Sequence, residues 1–512
     1  MATHQKTLRS MCLLFVFLIW KMKEVKGYNA AVVEYVMDDE IFSNLPPLDL
    51  GNRNAKIYNE IVGRIKLSHK ILDLVVFPEG TLVGDALDTP EGRKGMTFVP
   101  SPKEAVIPCN SSIPGFSEFF KVLSCTARKY STYLVINLKE KEISRDKVGA
   151  HNGFKFFNTD VVFDRNGKVI ARYRKYNTYL EPDTDKPKTP ELVTFDTDFG
   201  KTFGIFTCFD LLFKSPAMDL VRKGISNFIL PTMWFSGLPF HTTIQIQQSW
   251  AQGNDVALLT SGASDPTYGT GGLGIFLGAR GTLATVDIPR SDNYYLFKEV
   301  PDIYNFTPSC KLEVNNRNAK KMDKYNLYIE DLTEYAYKKL DLRTSKTIEE
   351  TLCQTQGNET LCCHFQIETE ILNADSIENK FIYDYFLVTR SGLRTYGNNT
   401  YILGVEICGL IACTGPSIMN CGQRFPDYDQ VSWPIIFKKI SISAVFNDSE
   451  TRSQFPNSLL ADFSPIESQC TTWITQKIKE ESAVKRTYNT NAAVQKLLTF
   501  AIFGRNYDLD VK

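Results

Sequence analysis

Short apolar runs and amphipathic stretches alternate along residues 28–290. Ile57, Ile61 and Ile65 recur at every fourth position after Asn54, which predicts one face of a helix with Asn54 as its N-cap. The run Leu74-Val75-Val76-Phe77 reads as a buried strand; Phe116, Phe119, Phe120 and Leu123 mark a second helix, and Tyr133-Leu134-Val135-Ile136 another strand. Apolar runs at 159–163, 169–173, 203–207, 228–230 and 256–259 continue the series. Strands interleaved with helices predict a layered α/β domain over residues 28–310. Beyond it, β-like stretches at 364–371, 381–388, 401–408 and 435–446 predict a β-rich second domain over 311–512.

The extreme N-terminus fits neither pattern. Lys6 and Arg9 precede an apolar run from Met11 to Trp20, and a polar stretch closes on Val25-Lys26-Gly27. The run is too short to cross a bilayer, and residues 1–27 read as a secretory signal peptide with the mature chain starting near Tyr28. Sequons at Asn110, Asn305, Asn358, Asn398 and Asn447 fit the same destination, a secreted and glycosylated protein.

Charge then narrows the partners. Lysine plus arginine and aspartate plus glutamate both total 58 in 512 residues, so no global field draws in nucleic acid or an anionic membrane. A small-molecule ligand is the remaining expectation. Of 12 cysteines, Cys12 falls in the leader, leaving eleven, of which seven lie between Cys353 and Cys470. In an oxidising compartment ten can pair and staple the second domain, leaving one thiol, either inert or reactive. Cys362-Cys363-His364 has no second cluster at zinc-like spacing, so no metal site is expected.

Three apolar strands end on reactive side chains. Leu74-Val75-Val76-Phe77-Pro78-Glu79-Gly80 ends on a carboxylate, Arg172-Tyr173-Arg174-Lys175-Tyr176 on an amine, and Phe206-Thr207-Cys208-Phe209-Asp210 on a thiol. Each has an ordinary reading as a turn, a surface charge or a core thiol. Strand ends are nonetheless where open α/β sheets gather their ligands, and the three together make a reactive set.

The order and contexts of these segments resemble the nitrilase superfamily, and within it the vanin and biotinidase branch. The resemblance is carried by Phe77-Pro78-Glu79-Gly80, Asn158-Thr159-Asp160-Val161-Val162-Phe163, Arg172 to Asn177, and Phe203 to Asp210. It continues through Pro231-Thr232-Met233-Trp234 and a helix read from Phe240-His241 to Ser249-Trp250-Ala251. In the second domain it is carried by Cys353, Leu361-Cys362-Cys363-His364 and the spacing of Cys408, Cys413 and Cys421.

The resemblance implies an α-β-β-α sandwich followed by a β-rich, disulfide-stapled domain. It also implies hydrolysis of a linear amide without metal or organic cofactor. Glu79 is then the proton acceptor, Lys175 a proton donor and oxyanion stabiliser that favours the thiolate, and Cys208 the nucleophile left outside the disulfides. The backbone N–H of Phe209 is expected at the oxyanion, and Trp234 and His241 in the substrate pocket, with loops 139–152 and 234–239. Glu140 and Glu142 are candidates for an additional carboxylate. Implied substrates are pantetheine, giving pantothenate and cysteamine, and as the alternative biocytin.

Two departures stand out. Gly272-Leu273-Gly274-Ile275-Phe276 replaces a Gly-Ser-Gly-Ile-Tyr stretch, which bears on substrate preference. The last apolar run, Leu497 to Phe503, is followed by Arg505, Asp508, Asp510 and Lys512, so no glycolipid anchor tail is expected. A papain-like mechanism is disfavoured, because none of His69, His151, His241 and His364 lies in a papain-like signature. A non-catalytic extracellular binding glycoprotein is the alternative of another class.

Overall fold

The computed structural model describes residues 27–83, 89–144, 153–286, 292–301, 309–310, 312, 314, 325–344, 346–357, 359–372, 380–397, 399–478 and 482–511. Residues 1–26 of the leader, His151 and the sequons at Asn305, Asn358 and Asn398 lie outside the described residues. Asn110 and Asn447 are exposed.

The strands of the first half are β1 (Tyr28–Val36), β2 (Leu74–Val76), β3 (Tyr133–Ile143), β4 (Phe154–Phe163), β5 (Val169–Arg174) and β6 (Thr194–Asp196). They continue with β7 (Thr202–Ile205), β8 (Asn227–Thr232), β9 (Ala257–Ser264), β10 (Leu273–Leu277), β11 (Thr282–Val286) and β12 (Tyr294–Val300). The spatial order is β5-β4-β3-β2-β1-β9-β8-β7-β6, with β10 and β11 extending from β9, and β12 pairing antiparallel with β1. From β3 to β7 every neighbour is parallel, the arrangement that buries both faces of a sheet.

Period-two alternation sorts the side chains into two cores. Ala31, Val33, Val75, Leu134 and Ile136 face helices α1 (Pro47–Ser68) and α2 (Glu118–Tyr130). Ala30, Val32, Leu74, Val76 and Val135 face the opposite half-sheet, where they meet Phe203, Ile205 and Phe228. The halves fold onto each other: Tyr173 of β5 donates to Asp210 just past β7 at 2.6 Å, although these strands lie near opposite ends of the order. Helix α3 (Thr243–Asn254) covers the second half, giving the four layers α-β-β-α.

One helix boundary departs from expectation. Asn54 is not an N-cap: α1 begins seven residues earlier at Pro47, and Asn54 is buried within it. Its carboxamide accepts from Tyr35 Oη at 2.8 Å and donates to the carbonyls of Thr81 and Leu82 at 3.0 and 3.2 Å, tethering the turn that carries Glu79. Proline is well suited to open a helix, because its missing N–H would have no partner there.

The second half is a β-sandwich. One sheet runs Ala336–Lys339, Asp384–Tyr396, Tyr401–Cys413, Leu497–Asn506, Arg452–Leu460; the other runs Thr347–Gln356, Glu359–Ile371, Ile435–Asn447, Ala483–Thr490, Thr471–Ile478. Cys363–Cys408 crosses between the sheets. Four further disulfides join Cys109–Cys125, Cys310–Cys470, Cys353–Cys362 and Cys413–Cys421. Cys208 is the one described cysteine outside a disulfide.

The first sandwich sheet is covered on both faces. Leu387, Leu410 and Phe500 point into the sandwich, while Val388, Ile411 and Phe503 join the core of the α/β half. Helix α3 lies in this junction, which explains its buried glutamines: Gln245 donates to Asn457 at 2.8 Å and Gln248 to the Ile466 carbonyl at 2.7 Å. The apolar run Leu497 to Phe503 belongs to an inner strand of this sheet. Among the described residues no helix is long and apolar enough to cross a membrane.

Candidate active site

Glu79, Lys175 and Cys208 each lie just beyond the C-terminal end of a strand, β2, β5 and β7, and the folding of the half-sheets brings them together. Glu79 is buried, and both of its oxygens accept hydrogen bonds. Oε1 accepts from Lys175 Nζ at 2.7 Å and from Asn158 Nδ2 at 2.8 Å; Oε2 accepts from the Met233 N–H at 3.1 Å. The backbone N–H of Lys175 donates to the Asn158 carbonyl at 2.8 Å, which fixes where its side chain starts.

Cys208 opens a short 3₁₀ turn, Cys208–Leu212, with φ at 48°. The left-handed region costs a residue with a Cβ about 1–2 kcal/mol, so the surroundings must hold it there. Asp210 does so, accepting from the Thr207 N–H at 3.1 Å, Tyr173 Oη at 2.6 Å, and the Asn177 N–H and Nδ2 at 3.0 and 2.8 Å. The thiol thereby faces Met233, with Sγ 3.5 Å from its carbonyl oxygen. The N–H of Phe209 lies in the first turn of that 3₁₀ element, where backbone donors have no acceptor within the helix.

Electrostatics assign the resting protons. Burial, and then the charge of Glu79, push the Cys208 thiol well above its ordinary range, and the opposing pull of Lys175 does not reverse this. The resting group is therefore a thiol, with Lys175 pulling it toward the thiolate. Burial alone would lower Lys175, but Glu181 and then Glu79 outweigh it and hold the ammonium charged. Burial would raise Glu181, yet Lys175 and Lys139 bring it down to about 2.

Glu181 is the residue that sequence reasoning missed. It binds Lys175 Nζ through Oε1 at 2.7 Å and Asn158 Nδ2 through Oε2 at 2.8 Å, so Lys175 and Asn158 are each clamped between two carboxylates. The expected candidates lie elsewhere. Glu140 turns inward but to Arg174, at 2.5 and 3.0 Å, and Glu142 binds the same guanidinium from a half-exposed position.

A cavity of about 540 Å³ opens beside Cys208. Trp234 and His241 line it, together with loop residues 234–237; residues 139–144 do not, and residues 145–152 of the other expected loop lie outside the described residues. His241 precedes α3 rather than sitting on it, and its carbonyl accepts from Trp234 Nε1 at 3.0 Å. Two contributions come from outside the α/β half: Asn326 to Ile329, and Arg394, Tyr396 and Gly397 of the sandwich. Leu273 and Phe276 of the Gly272 to Phe276 stretch are instead buried in β10 away from the cavity wall, so the departure at this stretch alters core packing. Cys362 and Cys363 are committed to disulfides, and among the described residues no cluster of three metal-ligating side chains occurs.

Comparison with known proteins matches this architecture half by half. Residues 56–255 match the Carbon-nitrogen hydrolase family, and residues 324–510 the Vanin C-terminal domain. Vanin-like protein 1 of Drosophila melanogaster is 36% identical over 511 residues, covering 95% of this chain and 87% of that one. Pantetheinase of Bos taurus is 28% identical over 96% of this chain and 92% of its own length, and biotinidase of Mus musculus 30% identical over 79% and 82%. The α/β half is thus of the carbon-nitrogen hydrolase class. With its C-terminal module, the chain belongs to the vanin family.

Proposed function

We propose that this chain hydrolyses a linear amide of a small molecule through a thioester on Cys208. The observation that carries the reading is the backbone of Met233, whose N–H holds Glu79 while its carbonyl contacts the Cys208 sulfur. It sets a base beside a thiol that burial keeps protonated, the situation in which a general base is needed.

Glu79 takes the thiol proton as sulfur attacks the amide carbon. The developing oxyanion is met by the Lys175 ammonium and the Phe209 N–H, donors of a kind typically contributing about 3 kcal/mol each. Collapse breaks the C–N bond, and Glu79 hands its proton to the departing amine. Water, deprotonated by Glu79, then attacks the thioester; the acid leaves and the proton returns to sulfur. Glu181 keeps Lys175 charged throughout. Trp234 and His241 shape the wall that holds the substrate.

Pantetheine is the substrate we assign first, supported by a pantetheinase relative matched over 96% of this chain against 79% for a biotinidase. The five disulfides support an oxidising compartment, with N-glycans on the exposed Asn110 and Asn447. The test is hydrolysis of pantetheine and biocytin side by side by the purified protein and by Cys208→Ala. Turnover of neither amide overturns the reading.

A further inference from the structure

The cavity wall is mostly aromatic and aliphatic, and its mouth is rimmed by exposed Leu180, Phe235, Tyr268, Tyr328 and Ile329. Three of its polar side chains gather in one place. Arg394 Nη1 lies 2.6 Å from His241 Nδ1 and 3.2 Å from Nε2, and the Tyr396 hydroxyl lies 3.4 Å from Nε2. Behind them Glu330 Oε2 sits 2.8 Å from Arg394 Nη2, and its Oε1 accepts from Tyr335 Oη at 2.5 Å.

Three features of this cluster bear on what it recognises. Burial and then the charge of Arg394 keep His241 neutral, so its ring offers one N–H beside the donors of Arg394 and the Tyr396 hydroxyl. The charge of Arg394 is matched by Glu330, so the group offers hydrogen-bond donors without net charge. Finally, a buried ion pair stabilises a fold poorly compared with apolar residues of the same volume, so packing alone gives little reason for one at a cavity wall.

We propose that Arg394, His241 and Tyr396 form the polar pole of the substrate site, reading an uncharged oxygen of the substrate, a hydroxyl or amide carbonyl, away from the scissile bond. The C-terminal sandwich is in this way part of substrate selection. A carboxylate at that position meets Glu330 behind Arg394 and is disfavoured, while apolar parts of the substrate lie along the mouth. The inference rests on the hydrolase reading above and specifies its substrate class.

The experiment uses the full-length protein and N-acyl cysteamines of several acyl lengths, each length made with a terminal hydroxyl, methyl or carboxylate, read by release of primary amine. At the best length the parent favours hydroxyl over methyl by at least about tenfold in kcat/KM, because a site built to bond a hydroxyl leaves its own groups unpaired against the analogue. The carboxylate is the poorest of the three. In Arg394→Met the hydroxyl-to-methyl ratio collapses toward one. Tyr396→Phe, which removes a single oxygen, lowers the ratio as well and serves if the arginine variant does not fold. Hydrolysis without hydroxyl preference at any length, or a ratio that survives in the folded variants, overturns this inference and leaves the hydrolase reading intact. Release of no amine from any of them by the parent overturns both.

Discussion

Glu181 and Glu79 each stand 2.7 Å from the ammonium of Lys175, one on either side of it. The arrangement keeps a buried lysine charged, and it sets a specific pH dependence. Without Glu181, burial has less to oppose it and the Lys175 pKa falls. Glu181→Gln should therefore lower kcat on the order of tenfold to a hundredfold and move the alkaline limb of the kcat profile to lower pH. A profile unchanged in position would remove Glu181 from any role in holding the lysine.

The same clamp acts on acid stability. Glu181 has its folded pKa depressed from 4.5 to about 2, so its contribution is fully present above 4.5 and is lost as pH falls through the folded value. Acid unfolding followed by circular dichroism should show Glu181→Gln losing part of the dependence between these limits that the parent displays.

Asp160 predicts the opposite slope. Burial raises its folded pKa to about 7, against hydrogen bonds from Thr207 at 2.6 Å and Asn137 at 2.9 Å. The folded state then binds more protons than the unfolded chain between pH 3.8 and 7, so this group lowers stability as pH rises across that window. Denaturant midpoints measured across it should decline less steeply in Asp160→Asn than in the parent.

Cys208→Ala should abolish turnover, by at least about four orders of magnitude if sulfur is the attacking group. Thiol titration of the denatured, unreduced protein lacking residues 1–27 should find one thiol in the parent and none in the variant. An active Cys208→Ala enzyme would end the thioester mechanism.

The inter-sheet bridge Cys363–Cys408 closes a separation of 45 residues. Chain-entropy reasoning gives such a cross-link about 4 kcal/mol. The paired substitution Cys363→Ala and Cys408→Ala should lower unfolding free energy toward that amount in equilibrium denaturation, with the cavity otherwise retained.

Much of this was legible in the sequence because strands announce themselves by composition and period, and a charged or thiol side chain at the end of one stands out. Glu79, Lys175 and Cys208 were visible for that reason. Glu181 was not: it lies in an irregular segment after Lys175, where no periodicity reports which side chains turn inward. Asn54 looked like a cap because caps and buried tethers use the same side chain, and only the position of Pro47 separates the two uses. Arg394 reaches a cavity whose other wall holds Cys208, 186 residues earlier in the chain, through the packing of one whole domain on another. Local patterns carry no trace of such a contact.

The inner strand Leu497–Asn506 has a consequence for the timing of synthesis. It is flanked by Tyr401–Cys413 and Arg452–Leu460, and its Arg505 donates to the carbonyl of Leu212, at the end of the turn that Cys208 opens. A ribosome releases Cys208 and Glu79 nearly three hundred residues before that strand exists, so the nascent chain carries an unfinished wall and a bare sheet face until the strand is made. The wall around Cys208 is then completed only when the sheet receives this missing member, long after the residues it encloses have been made.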